Sequence, residues 1–277
     1  MIFKTEAGER EIRRRYEQAL TDWPVPAEHL RVPTREGDTF VLACGPDDAP
    51  PLLLLHGSGS NAMMWMGDVP MWAKHFRVYA VDIIGEPGLS APARPPLGST
   101  AYALWLDDVL DHRGLERAAV TGVSLGGWLA LDYATRRPDR VERLALLCPG
   151  GVGRQKVGVL LKALLYKPFG QWGMRRSIKA VAGVDARELP EVAEYLTLMF
   201  THFLPRRDRL PVFSDEDLRK LTMPVLVIVG ARDAMLDSAG TARRMNHAVP
   251  HANVTVLPDV AHSVIGQTQP ILDFLRA

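Results

Sequence analysis

The stretch AAVTGVSLGGWLALDYA, residues 118–134, places Ser124 between Gly122 and Gly126, where an apolar run gives way to an amphipathic helix. A plain strand-to-helix connection needs only a cap residue or a turn glycine. Glycines two before and two after a serine become necessary when the turn is so sharp that a side chain at either place would strike backbone. The segment therefore reads either as a helix N-cap or as a nucleophile presented on a strand–turn–helix elbow.

Working outward, the flanking sequence repeats the strand half of this pattern. Short β-rich runs recur at PLLLLHG (51–57), RVYAVDIIG (77–85), RAAVTGVS (117–124), RLALLCPG (143–150), MPVLVIVG (223–230) and ANVTVLP (252–258). Runs without clean polar alternation are expected of strands buried on both faces of a parallel sheet. Helical patterns fall between them at 101–113, 125–137 and 238–248. Near the start, Ile12, Tyr16 and Leu20 share a helical face within 8–20. HLRVPT and DTFVLACG, joined by REGD, read as a β-hairpin. The expected fold class is α/β, a mostly parallel sheet flanked by helices.

One interval is too long for a single crossover. About 70 residues separate LALLCPG from MPVLVIVG, and they carry two apolar helical stripes. Val157, Leu160, Leu161, Leu164 and Leu165 form the first, and Val192, Tyr195, Leu196, Met199 and Phe203 the second. The expected organisation is a core of residues 1–150 and 222–277 with an inserted helical cap, 151–221.

Composition narrows the partners. The 277 residues carry 33 basic against 32 acidic side chains, a net charge of +1, so no global field recommends nucleic acid. No apolar run approaches the roughly 20 residues that span a bilayer. The N-terminal sequence lacks an apolar signal segment, so a cytoplasmic protein is expected, with a small molecule rather than a membrane as its partner. Cys44 and Cys148 sit in apolar runs and read as buried thiols. No Cys/His/carboxylate spacing suits a metal, and the glycine-rich turns match neither dinucleotide nor P-loop patterns, so no cofactor or metal is expected.

A serine nucleophile needs a base, and the base an orienting acid. His262, in LPDVAHSV, follows the last strand; Asp233, in VLVIVGARDAML, follows the strand before it, with Asp237 as the second candidate acid. Ser124, Asp233 and His262 all lie past C-terminal strand ends, where a parallel sheet presents its ligands. An oxyanion would need two amide donors. Leu125, opening the helix, supplies one. The turn His56-Gly57-Ser58-Gly59 offers the other, Ser58 first and Gly59 second. His56 itself reads as a brace for that turn.

LLLLHGSGS, VYAVDIIGEPGLS, VTGVSLGGWLA, VLVIVGARD and PDVAHSV together resemble the α/β-hydrolase superfamily across nearly the whole chain. They are especially similar to small bacterial carboxylesterases carrying VDIIG and a tryptophan after the His-Gly turn, here Trp65. The resemblance implies a Ser124–Asp233–His262 triad and an acyl-enzyme route. One departure is DIIGEPGLS, a residue longer than the commoner Asp-x-x-Gly-x-Gly-x-Ser, in a loop beside the pocket. Ester hydrolysis fits best. A thioesterase, a lactonase, a C–C bond hydrolase, and a ligand receptor or non-hydrolytic biosynthetic enzyme on the same fold stay open.

For the substrate, Met63, Met64, Trp65 and Met66 read equally as a soft apolar wall, with Gly59, Met64 and Trp65 lining a pocket, or as core filling. The cap interval carries 13 basic against 8 acidic residues. Either these charges only solvate its surface, or some of Arg154, Lys156, Lys162, Arg175, Arg176 and Lys179 draw an anionic substrate to the mouth.

Overall fold

The fold is described from a computed structural model, which covers residues 2–156, 158, 166 and 170–277. Among the described residues eight strands form one sheet: β1 (Ala27–Val32), β2 (Thr39–Cys44), β3 (Pro51–Leu55), β4 (Arg77–Val81), β5 (Ala118–Val123), β6 (Val141–Leu147), β7 (Val225–Gly230) and β8 (Asn253–Leu257). Their order is β1-β2-β4-β3-β5-β6-β7-β8. The β1–β2 hairpin joins β4 antiparallel, and every pairing from β4 to β8 is parallel.

Strand alternation explains the continuous apolar runs. Along β3, Leu53 and Leu55 enter one core while Leu52 and Leu54 enter the other. The first core takes α2 (Ala101–Asp111), α3 (Leu125–Arg136) and α6 (Ser238–Ala248) through Trp105, Trp128 and Met245. The second takes α1 (Glu6–Thr21) and α7 (Thr268–Arg276) through Tyr16, Leu272 and Leu275. With both faces covered, polar residues have no place in β3, which is why its pattern is unbroken. Of the runs expected to be buried on both faces, β8 departs, and it and β1 are the two edge strands. β1 and β8 keep exposed positions, because each lacks a neighbour on one side. The terminal helix α7 was not part of the sequence expectation.

Between β6 and β7 lie α4 (Gly170–Ala182) and α5 (Pro190–His202). The stripe Val157, Leu160, Leu161, Leu164 and Leu165 falls outside the described residues. In the second stripe, Met199 and Phe203 pack with Ile2, Phe3 and Ile12, and Tyr195 lies against them. Leu196 instead joins Ile178 and Ala182 of α4, and Val192 stays exposed. The N-terminal segment holds the end of α5. The Lys4 amide donates to the His202 carbonyl and the Leu204 amide to the Ile2 carbonyl, each at 2.8 Å. The Lys4 ammonium caps the carbonyls of Phe200 and Thr201 at 2.8 and 3.0 Å, a favourable charge at a helix C-terminus. Among the described residues no helix is long and apolar enough to cross a membrane.

Candidate active site

The strand order brings the site together. β3 is flanked by β4 on one side and β5 on the other, and Leu55 pairs with Gly122. The turn after β3 and the turn after β5 therefore leave the sheet side by side. β6, β7 and β8 follow in order, so the loops after β7 and β8 leave the same end of the sheet.

Ser124 sits on the elbow with φ 52° and ψ −105°, in the left-handed half of the map that non-glycine residues avoid. Its backbone is fixed on both sides. The amide donates to the Leu147 carbonyl at 2.9 Å, and the carbonyl accepts from Trp128 at 2.9 Å and Gly150 at 3.1 Å. The flanking glycines are sterically required. A Cβ on Gly122 would lie 2.5 Å from the Gly126 carbonyl oxygen, and one on Gly126 would lie 2.1 Å from that of Leu55. Gly126→Ala should therefore cost several kcal/mol, since backbone on a central strand must move. Chemical denaturation of the variant checks this, and a midpoint equal to that of the parent would contradict the contact.

From Ser124 the hydrogen bonds run inward. Ser124 Oγ lies 3.0 Å from His262 Nε2, and His262 Nδ1 lies 2.7 Å from Asp233 Oδ2. Asp233 is 2% exposed and His262 is 9% exposed, so water competes little for these bonds. The other oxygen, Asp233 Oδ1, accepts the amides of Met235 at 2.7 Å and Leu236 at 3.0 Å. Burial pushes the Asp233 carboxyl upward, but the bond to His262, its charge and the two amides outweigh it and hold the group below the usual carboxylate range. Lys156 adds its ammonium to the Asp233 main-chain carbonyl at 2.7 Å. Asp237 is engaged elsewhere: it caps α6, with Oδ1 accepting the Gly240 amide at 3.0 Å.

The turn after β3 is held by two side chains. The Ile83 amide donates to His56 Nε2 at 2.9 Å, so the ring proton sits on Nδ1 and is given to the Gly57 carbonyl at 2.8 Å. Burial lowers His56 to about 4, keeping it neutral. Glu86 is the second brace. Its Oε2 accepts the Gly59 amide at 2.6 Å and the Ser58 hydroxyl at 3.1 Å. The Gly59 amide is thus already spent. The amides of Ser58 and Leu125 have no acceptor among the described residues.

Of the expected pocket residues, Trp65 is 2% exposed and packs with Trp72 in the second core, centroids 5.8 Å apart. Met64 remains 41% exposed. The Gly59 α-carbon faces the Phe203 ring, 3.9 Å from where a Cβ would stand. Three contacts of the site are not foreseen in the sequence reading: Glu86 on Ser58 and Gly59, Lys156 on the Asp233 carbonyl, and Phe203 against Gly59. Only Glu86 left a trace, in the extra residue of DIIGEPGLS.

Among the described residues, one group of possible metal donors comes together: Cys148, Asp233 and His262, with ligand atoms within 4.8 Å. The carboxylate and imidazole are bound to each other, and burial pushes the Cys148 thiol up to about 12, so it stays protonated. This donor set suits the Asp–His pair better than a cation.

The alpha/beta hydrolase family model matches residues 52–277. The chain belongs to that family. It is 32% identical over 274 residues to an uncharacterized carboxylesterase, nap, of Bacillus subtilis, covering 92% of this chain and 87% of the relative. Its fold is similar to the crystal structure of carboxylesterase CesB (YbfK) from Bacillus subtilis, with a TM-score of 0.83 at 30% identity, over 98% of this chain and 96% of the other. The Bacillus subtilis naproxen esterase (carboxylesterase NP) matches with a TM-score of 0.81 at 29% identity, over 98% and 95%. The chain is an esterase-like hydrolase.

Proposed function

We propose that the chain is a serine carboxylesterase that cleaves small, hydrophobic esters through an acyl-enzyme on Ser124. The observation that carries this reading is the unbroken hydrogen-bond chain Ser124–His262–Asp233 at a strained strand–helix turn. Ser124 Oγ attacks the ester carbonyl carbon while His262 Nε2 takes its proton. Asp233 holds the imidazole tautomer and the charge that forms on it. The amides of Ser58 and Leu125 stabilise the oxyanion, helped by the N-terminal end of α3. Collapse of the tetrahedral adduct expels the alcohol, protonated by His262. Water, deprotonated by the same imidazole, then releases the acid and restores the serine.

The cap belongs to the same proposal, as residues 151–221 inserted into a core of 1–150 and 222–277. Its support is contact with the site loops. The Ser263 amide, next to His262, donates to the Ala182 carbonyl at the end of α4 at 3.1 Å, Gly183 lies against Ala261, and Phe203 lies against Gly59. A cytoplasmic location is supported by both cysteines being free, buried thiols.

Hydrolysis of p-nitrophenyl acetate and butyrate tests the activity, beside a thioester and a lactone of matched size. Multiple turnovers with the ester fastest are expected. A single slow turnover with retained product would instead mark a receptor. EDTA should leave the rate unchanged, since the mechanism uses no metal. Loss of activity in EDTA, restored by added metal, would overturn the metal-free mechanism.

The basic residues of the cap support the solvated-surface account. Lys156 is on the Asp233 carbonyl, Lys179 pairs with Asp185 at 2.7 Å, and Arg176 lies over the Trp172 ring at 5.1 Å. Arg154 and Arg175 are exposed, and Lys162 lies outside the described residues. Added NaCl should therefore change kcat/KM equally for a carboxylate-bearing ester and a neutral ester of the same size. A steep loss confined to the anionic ester would restore the steering role.

A further inference from the structure

The turn that would supply the oxyanion amide is rich in glycine, and glycine does not choose its own peptide orientation. Gly59 has φ +72°, in the left-handed region, and Gly57 beside it also lacks a side chain. Such a turn presents its amides in one direction only if something outside it holds them. Ser58 and Gly59 offer three polar hydrogens. The Ser58 hydroxyl and the Gly59 amide both end on Glu86 Oε2, and the Ser58 amide is left without an acceptor among the described residues.

The anchor is itself anchored. Glu86 is 1% exposed and lies in the lengthened loop after β4. Asp82 braces that loop: its Oδ2 accepts the Leu89 amide at 2.7 Å, and its Oδ1 accepts the Tyr16 hydroxyl and the Ala62 amide, each at 2.9 Å. A side chain at Gly88 would strike the Asp82 carboxylate, at 2.4 Å. Asp82 thus ties the Glu86 loop to the segment that continues from the oxyanion turn. Burying the Glu86 carboxylate carries a desolvation cost, which the hydrogen bonds it accepts from the turn offset.

We propose that Glu86 is a positioning residue of the oxyanion turn: by taking the Gly59 amide and the Ser58 hydroxyl, its carboxylate leaves the Ser58 amide as the turn's free donor. The proposal rests on the acyl-enzyme reading and adds to it a titrating group. Burial raises the Glu86 carboxyl to about 7, against the Gly59 amide, the charges of Arg94 and Arg206, and the Ser58 hydroxyl, which all favour ionisation. Tyr102 also faces this cluster, and burial, with Glu86 adding to it, raises its phenol to about 12, so it stays neutral. The ionised carboxylate makes the stronger acceptor bonds. Activity should therefore fall as Glu86 is protonated, on the acid side of about 7.

Two variants separate positioning from mere packing. Glu86→Met removes the acceptor at similar volume; Glu86→Gln keeps a neutral acceptor that cannot titrate. With Glu86→Met, kcat should fall about 10- to 100-fold with KM within about threefold, and Ki for a short-chain trifluoromethyl ketone, which forms an oxyanion adduct, should rise in step. With Glu86→Gln the loss should be smaller, and the acid limb of log kcat/KM should become shallower than that of the parent by about one in slope. A Glu86→Met enzyme within about threefold of the parent, or a Glu86→Gln acid limb identical to that of the parent, overturns the proposal. If Glu86→Met does not fold, the two acid limbs decide alone. Ser124→Ala is run alongside: its inactivity keeps the acyl-enzyme reading intact whatever Glu86 shows, and its activity would remove that reading first.

Discussion

Ser124→Ala should lower kcat/KM for p-nitrophenyl acetate by about 10⁴- to 10⁶-fold while leaving a folded protein, because the covalent route is gone and only binding and the oxyanion donors remain. Alanine accepts the elbow no better and no worse than serine: the φ of 52° strains any residue with a Cβ, and the three backbone bonds that fix the turn do not use the hydroxyl. Thermal unfolding should change little. A fluorophosphonate followed by intact mass gives an independent readout, adding one adduct to the parent and none to the variant. A variant that hydrolyses ester at a tenth of the parental rate, with contamination excluded by mass, would end the nucleophile assignment.

The second large effect is expected at Asp233. Its two oxygens are divided between His262 Nδ1 and the amides of Met235 and Leu236. In Asp233→Asn the side-chain amide must turn its oxygen or its NH₂ toward the ring. With the backbone amides claiming the oxygen, the NH₂ faces Nδ1, and the proton moves to Nε2, where it can no longer accept from Ser124. A loss of about 10³- to 10⁴-fold in kcat is expected, with KM nearly unchanged. Asp237→Ala is the contrast. It should keep most of the activity and lose about 0.5–2 kcal/mol of stability, since Asp237 caps α6. The reverse pattern, with Asp237 critical and Asp233 dispensable, would overturn the geometry described here.

Some of the site was legible because local backbone constraint leaves its mark in composition. Gly122 and Gly126 are glycine because carbonyl oxygens stand where their side chains would be, so the elbow could be read without coordinates. The unbroken run Leu52–Leu55 followed from helices on both faces of β3. Strand boundaries were read too far, as at RVYAVDIIG, where β4 ends at Val81. The overhang is the turn after β4, where Ile83 and Ile84 are apolar because they too are buried. Trp65 shows the limit of composition. A tryptophan near a reactive turn fits a pocket wall or a core equally, and its partner Trp72 could be paired with it only in space.

What the sequence determined by itself is therefore the sheet, its sidedness and the strand ends at which Ser124, Asp233 and His262 emerge. These depend on alternation, strand length and glycine, all properties of neighbouring residues. The tertiary structure alone decided which acid meets His262, which amide of the turn after β3 stays without an acceptor among the described residues, and that Glu86 accepts from Ser58 and Gly59 of that turn. Ser124 and His262 lie 138 residues apart in the chain, and Ser58 and Glu86 lie 28 apart. Such contacts are set by strand order and register, β3 between β4 and β5 above all. No local pattern encodes them, because a hydrogen bond between two loops depends on where their strands were placed and leaves each loop's own backbone preferences unchanged.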